Sequence, residues 1–350
     1  MTVLIIGAAS LLATAATAPL VRALMLRRGI IDVPNQRSSH DRPTPRGGGV
    51  ACAAGIFSGS SLAVWSGMSV PIPAVAAALL LAALGLLDDR FQLAAMPRLA
   101  TQVITGALFG ATIGGIDWVI GGAILMPLLV NVVNFMDGIN GITALTLLAW
   151  GSATAIGGSV VGVEPLSILG AMTAGAALGF LPFNAPQARI FLGDVGSYLF
   201  GALAATGVML GTAADVPLTY LVAPLLIYVL DVTVTLGRRA IRGRRLLDAH
   251  REHTYQRLVA LYDFPHITVA ISVALLSLTV TAGWASGSAP VAVLATAVAI
   301  SIYFLPTIGC FRTGLTHCAR KARHLHAAPT QNGENSVKAQ TRDRGKNCGN

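Results

Sequence analysis

The sequence predicts an all-α fold, a polytopic bundle of about eleven transmembrane helices. Hydrophobic residues make up 54% of the 350 positions and charged residues only 11%, with a mean hydropathy of +0.69. That composition excludes an ordinary soluble domain. The apolar residues form runs close to the length of about 20 residues that a membrane-spanning helix needs. All 24 Lys and Arg residues fall where they can lie on one side of the membrane.

Each predicted span is an apolar run bounded by polar or glycine-rich segments. The spans cover residues 3–26, 47–66, 72–87, 99–115, 117–134, 141–161, 166–183, 197–213, 217–236, 267–286 and 289–308. Ten spans result instead if one pair of the shorter runs forms a single re-entrant unit.

The basic residues set the predicted orientation. Five Arg lie in 27–46, seven in 237–266, and eight Lys or Arg follow residue 311, whereas the opposite loops contain no basic residue. Placing one Arg at the bilayer centre costs roughly 2.5–3.5 kcal/mol. We therefore expect the N-terminus outside and the C-terminus in the cytoplasm. The first span has its positive charge after the apolar run, which is typical of an uncleaved anchor rather than a signal peptide.

We expect two domains, an integral membrane catalytic domain over residues 1–311 and a basic cytoplasmic tail over 312–350. The tail is polar and without apolar periodicity, which is typical of disorder. Beside a membrane, its charge favours contact with anionic lipid headgroups and not with nucleic acid. The four cysteines lack metal-ligand spacing and receive no role.

Two adjacent carboxylates, Asp88 and Asp89, close the third span. At a membrane boundary such a pair is self-repelling and costly to desolvate. This favours a divalent cation between the pair and an anionic ligand. The alternative is an exposed helix end at which Arg90 balances the charge.

A second polar group follows the fifth span. Asn131 and Asn134 are three residues apart, so a helix places them on one face. Asp137 then meets a Gly-x-x-Gly turn, beginning at Gly138, that lets a ligand approach the backbone. The alternative is capping of the sixth span by Asp137 or Asn140.

Asp194 stands in a glycine-rich turn at the start of the eighth span. A helix N-terminus offers free backbone N–H groups to a phosphate, and the carboxylate offers oxygen to a metal. Helix capping alone also favours Asp at this position.

Two basic segments, 35–49 and 250–257, lie on the same predicted side as these acids. A charge run is usually a solvated or lipid-facing surface, but His250 and His253 are predicted to share a helical face with Arg257. Zinc is the alternative ligand; no third zinc ligand is near, so binding of diphosphate oxygens is favoured. The candidate binding residues are Arg37, His40, Arg46, His250, Arg251 and His253.

Together these segments resemble a known family. NQRSSHDRPTPRGGG, LLDDRF, NVVNFMDGING, FNAPQARIFLGDVGS and HREHTYQRL occur in the family's order between residues 35 and 258. The chain is similar to the polyprenyl-phosphate N-acetylhexosamine-1-phosphate transferases of glycosyltransferase family 4. FLGDVGS and HREHTYQRL look most like the O-antigen-initiating branch. The phospho-MurNAc-pentapeptide translocase is a more distant member, and its run of histidines is reduced here to two.

The resemblance implies a reaction, cofactor and location. A UDP-N-acetyl-sugar and undecaprenyl phosphate give undecaprenyl-diphosphate-sugar and UMP, with Mg²⁺ or Mn²⁺, on the cytoplasmic face of a bacterial inner membrane. The product begins a lipid-linked surface glycan such as O-antigen. The sequence leaves open which sugar is used and whether the protein forms a homo-oligomer.

The resemblance also implies roles for the acids and their neighbours. Asp194 ligates the metal, Asp89 supports the metal site, and Asp88 engages the lipid phosphate. A phosphate monoester already carries about −1.5 to −2 charges at neutral pH, so we expect Asp88 to position it and not to act as an indispensable base. The other implied contacts are Asp137, Gly138 and Ile139 with the nucleotide, Phe191 stacking on uracil, and His250, Arg251 and His253 with the diphosphate.

Two other classes of protein remain as alternatives. A transporter or flippase would carry its polar residues near the bilayer midplane, in broken helices of two matched halves. Here the polar residues lie at the inner boundary. A phosphotransferase of the CDP-alcohol type would cluster its aspartates in one helical segment, whereas here they are spread over three loops.

Overall fold

The computed structural model describes residues 1–34, 42–245 and 250–306. A two-residue hairpin pairs β1 (Ile31–Asp32) with β2 (Thr44–Pro45). The helices are α1 (Thr2–Arg28), α2 (Gly49–Trp65), α3 (Ile72–Phe91), α4 (Ala95–Ile113), α5 (Gly115–Met136), α6 (Ile142–Val161), α7 (Glu164–Asn184), α8 (Gly193–Ala213), α9 (Leu218–Val222), α10 (Leu226–Ile241), α11 (Thr254–Tyr262), α12 (His266–Ala285) and α13 (Ala289–Pro306).

The structure confirms an all-α polytopic bundle, and every predicted span contains a helix. In the described part of the chain, nine helical stretches are long and apolar enough to cross a membrane, with α9, a 3-10 turn and α10 counted as one stretch. The two remaining predicted spans correspond to α2, which has 17 residues, and to α4, whose apolar face is interrupted by Arg98 and Gln102. The span number and the orientation of the termini remain predictions.

The boundary between the predicted domains stays a prediction. Residues Met1–Phe304 form one compact unit, and in the following unit, Leu305–Asn350, the structure describes only residues 305 and 306. The predicted tail, 312–350, lies outside the described residues.

Helix α8 is the central element of the bundle, and nearly all of it is buried. It packs chiefly against α3 and α5, and glycines permit the close approach. A Cβ on Gly201 would lie 2.5 Å from the Cα of Val130 in α5, and a Cβ on Gly85 in α3 would collide with the backbone carbonyl of Asp194. Small residues at such contacts allow neighbouring helix backbones to pack tightly. The packing brings the end of α3 against the start of α8.

Helix α11 differs in extent from its prediction. The sequence predicts a helical face over residues 250–257 within the basic loop 237–266, whereas the helix spans Thr254–Tyr262. Thr254, Tyr255 and Leu258 are its buried residues. With only nine residues, the helix is too short for periodicity alone to define its ends.

Candidate active site

Asp88 lies in the last turn of α3 and is 4% exposed. Its Oδ2 accepts hydrogen bonds from Arg98 Nη1 at 2.6 Å and from Tyr198 Oη at 2.9 Å. Its Oδ1 accepts one from the backbone N–H of Leu93 at 2.9 Å. Asp88 is therefore held on both oxygens by groups from α4, α8 and the connecting loop. Arg98, and not Arg90, is its ionic partner.

Asp89, the neighbouring acid, points into α8, and its side chain is fully buried. Its Oδ1 accepts the backbone N–H of Asp194 at 3.0 Å, and its Oδ2 accepts that of Val195 at 3.3 Å. Arg46 Nη2 lies 2.5 Å from Oδ1. Asp89 thus caps α8 from another helix. Gly193 has φ of 75°, and a Cβ there would lie 2.5 Å from Asp89 Oδ2, so the cap requires glycine.

Asp194 keeps 22% of its side chain exposed and does not cap its own helix. Its Oδ1 accepts a hydrogen bond from Asn134 Nδ2 at 2.8 Å, and Asn134 also donates to Ser197 Oγ at 3.0 Å. Arg46 Nη2 lies 3.6 Å from Asp194 Oδ2. Of Asp88, Asp89 and Asp194, Asp194 has the most exposed side chain.

Backbone pairing joins the glycine triplet 47–49 to the turn before α8. Phe191 N–H donates to Pro45 O, Gly48 N–H to Phe191 O, and Gly49 N–H to Leu192 O, each at 2.8 Å. A Cβ on Gly48 or Gly49 would collide with side-chain or backbone atoms of the facing elements. The pairing fixes Arg46 beside the acids, and it explains why these two motifs act as one structural unit.

Electrostatics in the cluster favour an added cation. Burial, reinforced by the carboxylates of Asp194 and Asp89, raises the pKa of Asp137 to about 8. Burial alone would lower the pKa of Arg46, but Asp89 and Asp194 raise it above its ordinary value, so Arg46 stays charged. One guanidinium faces more carboxylates than it can neutralise. Neither Asp137 nor Asn140 caps α6: the N-cap is Gly141, whose N–H donates to Asn184 Oδ1 at 2.7 Å.

The residues present fit Mg²⁺ in one particular way. In the part of the chain that the structure describes, no three His, Cys, Asp or Glu side chains are grouped closely enough to hold a metal between them. Mg²⁺ is commonly bound by one or two carboxylates together with substrate phosphates and water. Asp194, partly exposed beside other acids, matches that donor set. A site built only from protein ligands does not.

The histidine segment differs from the expected geometry. Residues 250–253 precede α11, and His253 is the extended N-cap residue of that helix. The prediction of one helical face shared with Arg257 is therefore wrong, because the helix begins only at Thr254. The rings of His250 and His253 stack with centroids 5.0 Å apart. His253 is 2% exposed, and its Nδ1 lies 3.6 Å from Asp231 Oδ1.

Asp231 is a site residue that the sequence reasoning missed. It is fully buried in α10, and its carboxylate accepts the backbone N–H groups of Thr254 at 2.9 Å and Tyr255 at 3.4 Å. Thr235 Oγ1 and Tyr303 Oη donate to it at 3.0 and 2.8 Å. A lone acid within the apolar run LLIYVLDVTVTL was the available signal, since a carboxylate in a span needs partners.

Glu252 holds the same segment from the other side. Its carboxylate pairs with Arg239 at 2.5 Å and Arg244 at 2.8 Å. Burial, the neighbouring His253 and Arg239 lower the pKa of His250 to about 4. His250 is therefore neutral at pH 7. Arg251 is exposed at this end of the bundle.

The turn after α5 and the histidine segment contact each other. Tyr255 Oη donates to Phe135 O at 3.0 Å, and a Cβ on Gly138 would collide with that hydroxyl. Phe135 also stacks on His253, with centroids 6.2 Å apart. The turn after α5 is thus packed on the start of α11.

Three predicted site residues stand apart from this contact network or cannot be located. Asn131 donates to Gln102 Oε1 at 2.7 Å and to Pro127 O at 2.8 Å, so it faces α4 and not Asp194. Arg37 and His40 lie outside the described residues. Ile139 is 6% exposed, so its side chain is buried.

Comparison with known proteins decides the family. A family model described as Glycosyl transferase family 4 matches residues 71–212, which include Asp88, Asp89, Asp137 and Asp194. The chain is 32% identical over 292 residues to decaprenyl-phosphate N-acetylglucosaminephosphotransferase of Mycolicibacterium smegmatis, covering 69% of this chain and 71% of the relative. The chain belongs to glycosyl transferase family 4.

Other relatives in the family carry related names. A probable undecaprenyl-phosphate N-acetylglucosaminyl 1-phosphate transferase of Bacillus subtilis is 27% identical, over 72% of this chain and 75% of that protein. A phospho-N-acetylmuramoyl-pentapeptide-transferase of Geobacillus kaustophilus is 29% identical, over 55% of this chain and 68% of that protein. The resemblance to the polyprenyl-phosphate N-acetylhexosamine-1-phosphate transferases is therefore confirmed at the level of the family.

Proposed function

We propose that this protein transfers an N-acetylhexosamine-1-phosphate group from a UDP-sugar to undecaprenyl phosphate and releases UMP. The observation that carries the proposal is the contact of Arg46 with Asp89 and Asp194, next to Asp88 at the end of α3, at one end of an apolar bundle. The relatives named for transfer of N-acetylglucosamine-1-phosphate support it.

The reaction joins two anions, so positioning and charge dominate its barrier. An oxygen of the lipid phosphate forms a bond to the β-phosphorus of the nucleotide sugar. The bond between that phosphorus and the bridging oxygen breaks, and UMP leaves with the electron pair. Bringing these groups into line against their mutual repulsion is the main task of such a site.

The acids have distinct roles in this proposal. Asp194 would hold Mg²⁺, or Mn²⁺ in its place, and the bound ion would supply positive charge at the phosphate oxygens. Asp89 supports that site by capping α8 and by holding Arg46 beside it. Asp88, fixed by Arg98 and Tyr198, orients the lipid phosphate.

Neighbouring segments bind the rest of the donor. Gly138 and Ile139 lie in the turn that receives the nucleotide, and Phe191 stacks on uracil. His250, as a neutral donor, and Arg251 contact the diphosphate. Asp231 and His253 are positioning residues, because both are buried and act by ordering this segment.

The proposed location is the cytoplasmic face of a bacterial inner membrane, since the basic loops all accompany the acids. A polyprenyl chain stays in the bilayer, so a site at the membrane boundary meets its phosphate without extracting it. The lipid product begins a surface glycan, and we assign the chain to the O-antigen-initiating branch on its FLGDVGS and HREHTYQRL segments.

A donor panel tests the proposal. Purified protein is given undecaprenyl phosphate, Mg²⁺ and either UDP-GlcNAc, UDP-GalNAc, a UDP-6-deoxy-N-acetyl-sugar or a CDP-linked donor. We expect UMP release in equal amount to a lipid product of the matching mass with at least one UDP-sugar, and at least about a hundredfold less with Asp194→Asn. Substrate uptake into liposomes without UMP release would instead support a transporter, and activity confined to the CDP donor would support the other phosphotransferase class.

A further inference from the structure

A polar cavity of about 450 Å³ lies beside the candidate active site but does not include its acids. Its walls come from the inner end of α1, from residues 42–45 and from residues 185–189. Three arginines line it, Arg22, Arg42 and Arg189. We propose that this cavity binds the phosphate of an anionic membrane lipid headgroup, and that the bound lipid stabilises the neighbouring active-site loops.

The charge of the cavity is positive and uncompensated within the described chain. No ion pair among the described residues involves any of its three arginines. Arg22 Nε donates to the backbone carbonyl of Arg189 at 3.0 Å, which fixes the guanidinium at the cavity wall. All three side chains are exposed. Several guanidinium groups around one cavity are suited to phosphate oxygens, which accept paired N–H donors.

The position of Arg22 favours a lipid over a soluble phosphate. Arg22 lies within the apolar helix α1, more than one turn before its end at Arg28. Leu20 and Leu24, on either side of it, are 70% and 45% exposed, as expected for side chains that face acyl chains. An arginine on such a surface extends its guanidinium to the headgroup level. A lipid can therefore place its chains along α1 and its phosphate in the cavity.

The cavity walls continue directly into the candidate active site. Residues 42–45 lead to Arg46, and residues 185–189 lead to Phe191 and Asp194. Phe191 N–H donates to Pro45 O at 2.8 Å, so the two walls are already joined at one point. A phosphate held between Arg42 and Arg189 adds a second link. We therefore expect anionic lipid to raise activity. This effect on activity rests on the proposed function, whereas the binding of lipid does not depend on it.

Binding is measured by native mass spectrometry and by labelled phosphatidylglycerol in phosphatidylcholine nanodiscs. The test variant is Arg22→Gln/Arg42→Gln/Arg189→Gln. The control variant, Arg27→Gln/Arg28→Gln/Arg90→Gln, removes the same charge at the same end of the bundle without touching the cavity. We expect at least a tenfold loss of phosphatidylglycerol affinity in the test variant only. Thermal unfolding in lipid-free detergent checks that the test variant folds. If the triple variant does not fold, Arg42→Gln alone replaces it, and we then expect at least a threefold loss of phosphatidylglycerol affinity.

Three outcomes would overturn the proposal. Equal phosphatidylglycerol affinity in all proteins would show that no specific site exists. An equal loss in test and control variants would show that only net charge matters. Displacement of the lipid by millimolar inorganic phosphate or UMP would show a site for soluble phosphate. The binding assay needs no turnover, so its result stands even if the proposed reaction fails. Activation by phosphatidylglycerol in the wild type and the control variant, but not in the test variant, would confirm the link to the active site.

Discussion

Asp89 at the end of α3 caps the helix that begins with Asp194: its Oδ1 accepts the Asp194 backbone N–H at 3.0 Å. The two acids thus belong to one unit, in which the buried carboxylate holds the backbone and the accessible one faces outward. Arg46 reaches both of them. The paired aspartates of α3 therefore serve different purposes, although they are adjacent in the sequence.

Asp89→Asn should cost stability as well as activity, because the amide cannot accept both N–H bonds and pair with Arg46. We expect roughly 1–3 kcal/mol of destabilisation, the cost of leaving buried donors unpaired. Asp194→Asn should leave the thermal unfolding temperature unchanged or raise it, since it relieves repulsion among the acids, while activity falls by at least about a hundredfold. Thermal unfolding and UMP release, measured on both variants, check the contrast. Equal stability of both variants would contradict the capping role.

Asp88→Asn should lower the rate without removing the pH dependence that belongs to the lipid phosphate. That group has a second pKa near 6, and Asp88 is already engaged by Arg98, Tyr198 and Leu93. The measurement is a pH–rate profile at saturating Mg²⁺, with Tyr198→Phe as the variant that removes only one donor to Asp88. If the limb near pH 6 disappears in Asp88→Asn while metal affinity is unchanged, Asp88 is a general base and the positioning role is wrong.

Gly138→Ala should impair the nucleotide turn, because the new Cβ would collide with Tyr255 Oη. Overpacking of this kind costs about 1–3 kcal/mol, and we expect a raised KM for the UDP-sugar. The double variant Gly138→Ala/Tyr255→Phe should recover most of that loss, since it removes the colliding hydroxyl. Tyr255→Phe alone gives up the bond to Phe135 O, about 1 kcal/mol. Failure of the double variant to recover would show that the collision is not the cause.

Asp231→Asn should disorder the histidine segment, because one of its two oxygens becomes a donor facing the N–H groups of α11. We expect roughly 1–3 kcal/mol of destabilisation and weaker binding of the UDP-sugar. Hydrogen exchange at Thr254 and Tyr255 should rise. Asp263→Asn is the matched control: Asp263 is exposed at the end of α11 with φ of 57°, a conformation that Asn accepts. Unchanged hydrogen exchange at Thr254 and Tyr255 in Asp231→Asn would show that Asp231 does not order this segment.

The sequence predicted the bundle and its acids well, and the reason is physical. Apolar runs long enough to span a membrane are compatible with few folds other than a helical bundle. Because the basic residues all fall on one side, residues 88–89, 134–137 and 194 are predicted to lie at the same end of that bundle. The partners within that end were not predictable. Arg98 and Tyr198 both donate to Asp88, from ten and 110 residues away in the sequence. Local sequence patterns do not indicate contacts between separate helices. His253 was misplaced for the same reason, since its environment is set by Asp231, 22 residues earlier in α10.

The central claim is that the acids form one metal-dependent nucleotide pocket, and Mn²⁺ binding tests it most directly. Electron paramagnetic resonance counts the Mn²⁺ bound to purified protein with and without UDP-GlcNAc. We predict that each chain binds one Mn²⁺ and that its affinity rises when UDP-GlcNAc is present. This binding should be lost in Asp194→Asn and retained in Asp263→Asn. Undiminished, nucleotide-dependent Mn²⁺ binding in Asp194→Asn would contradict the account.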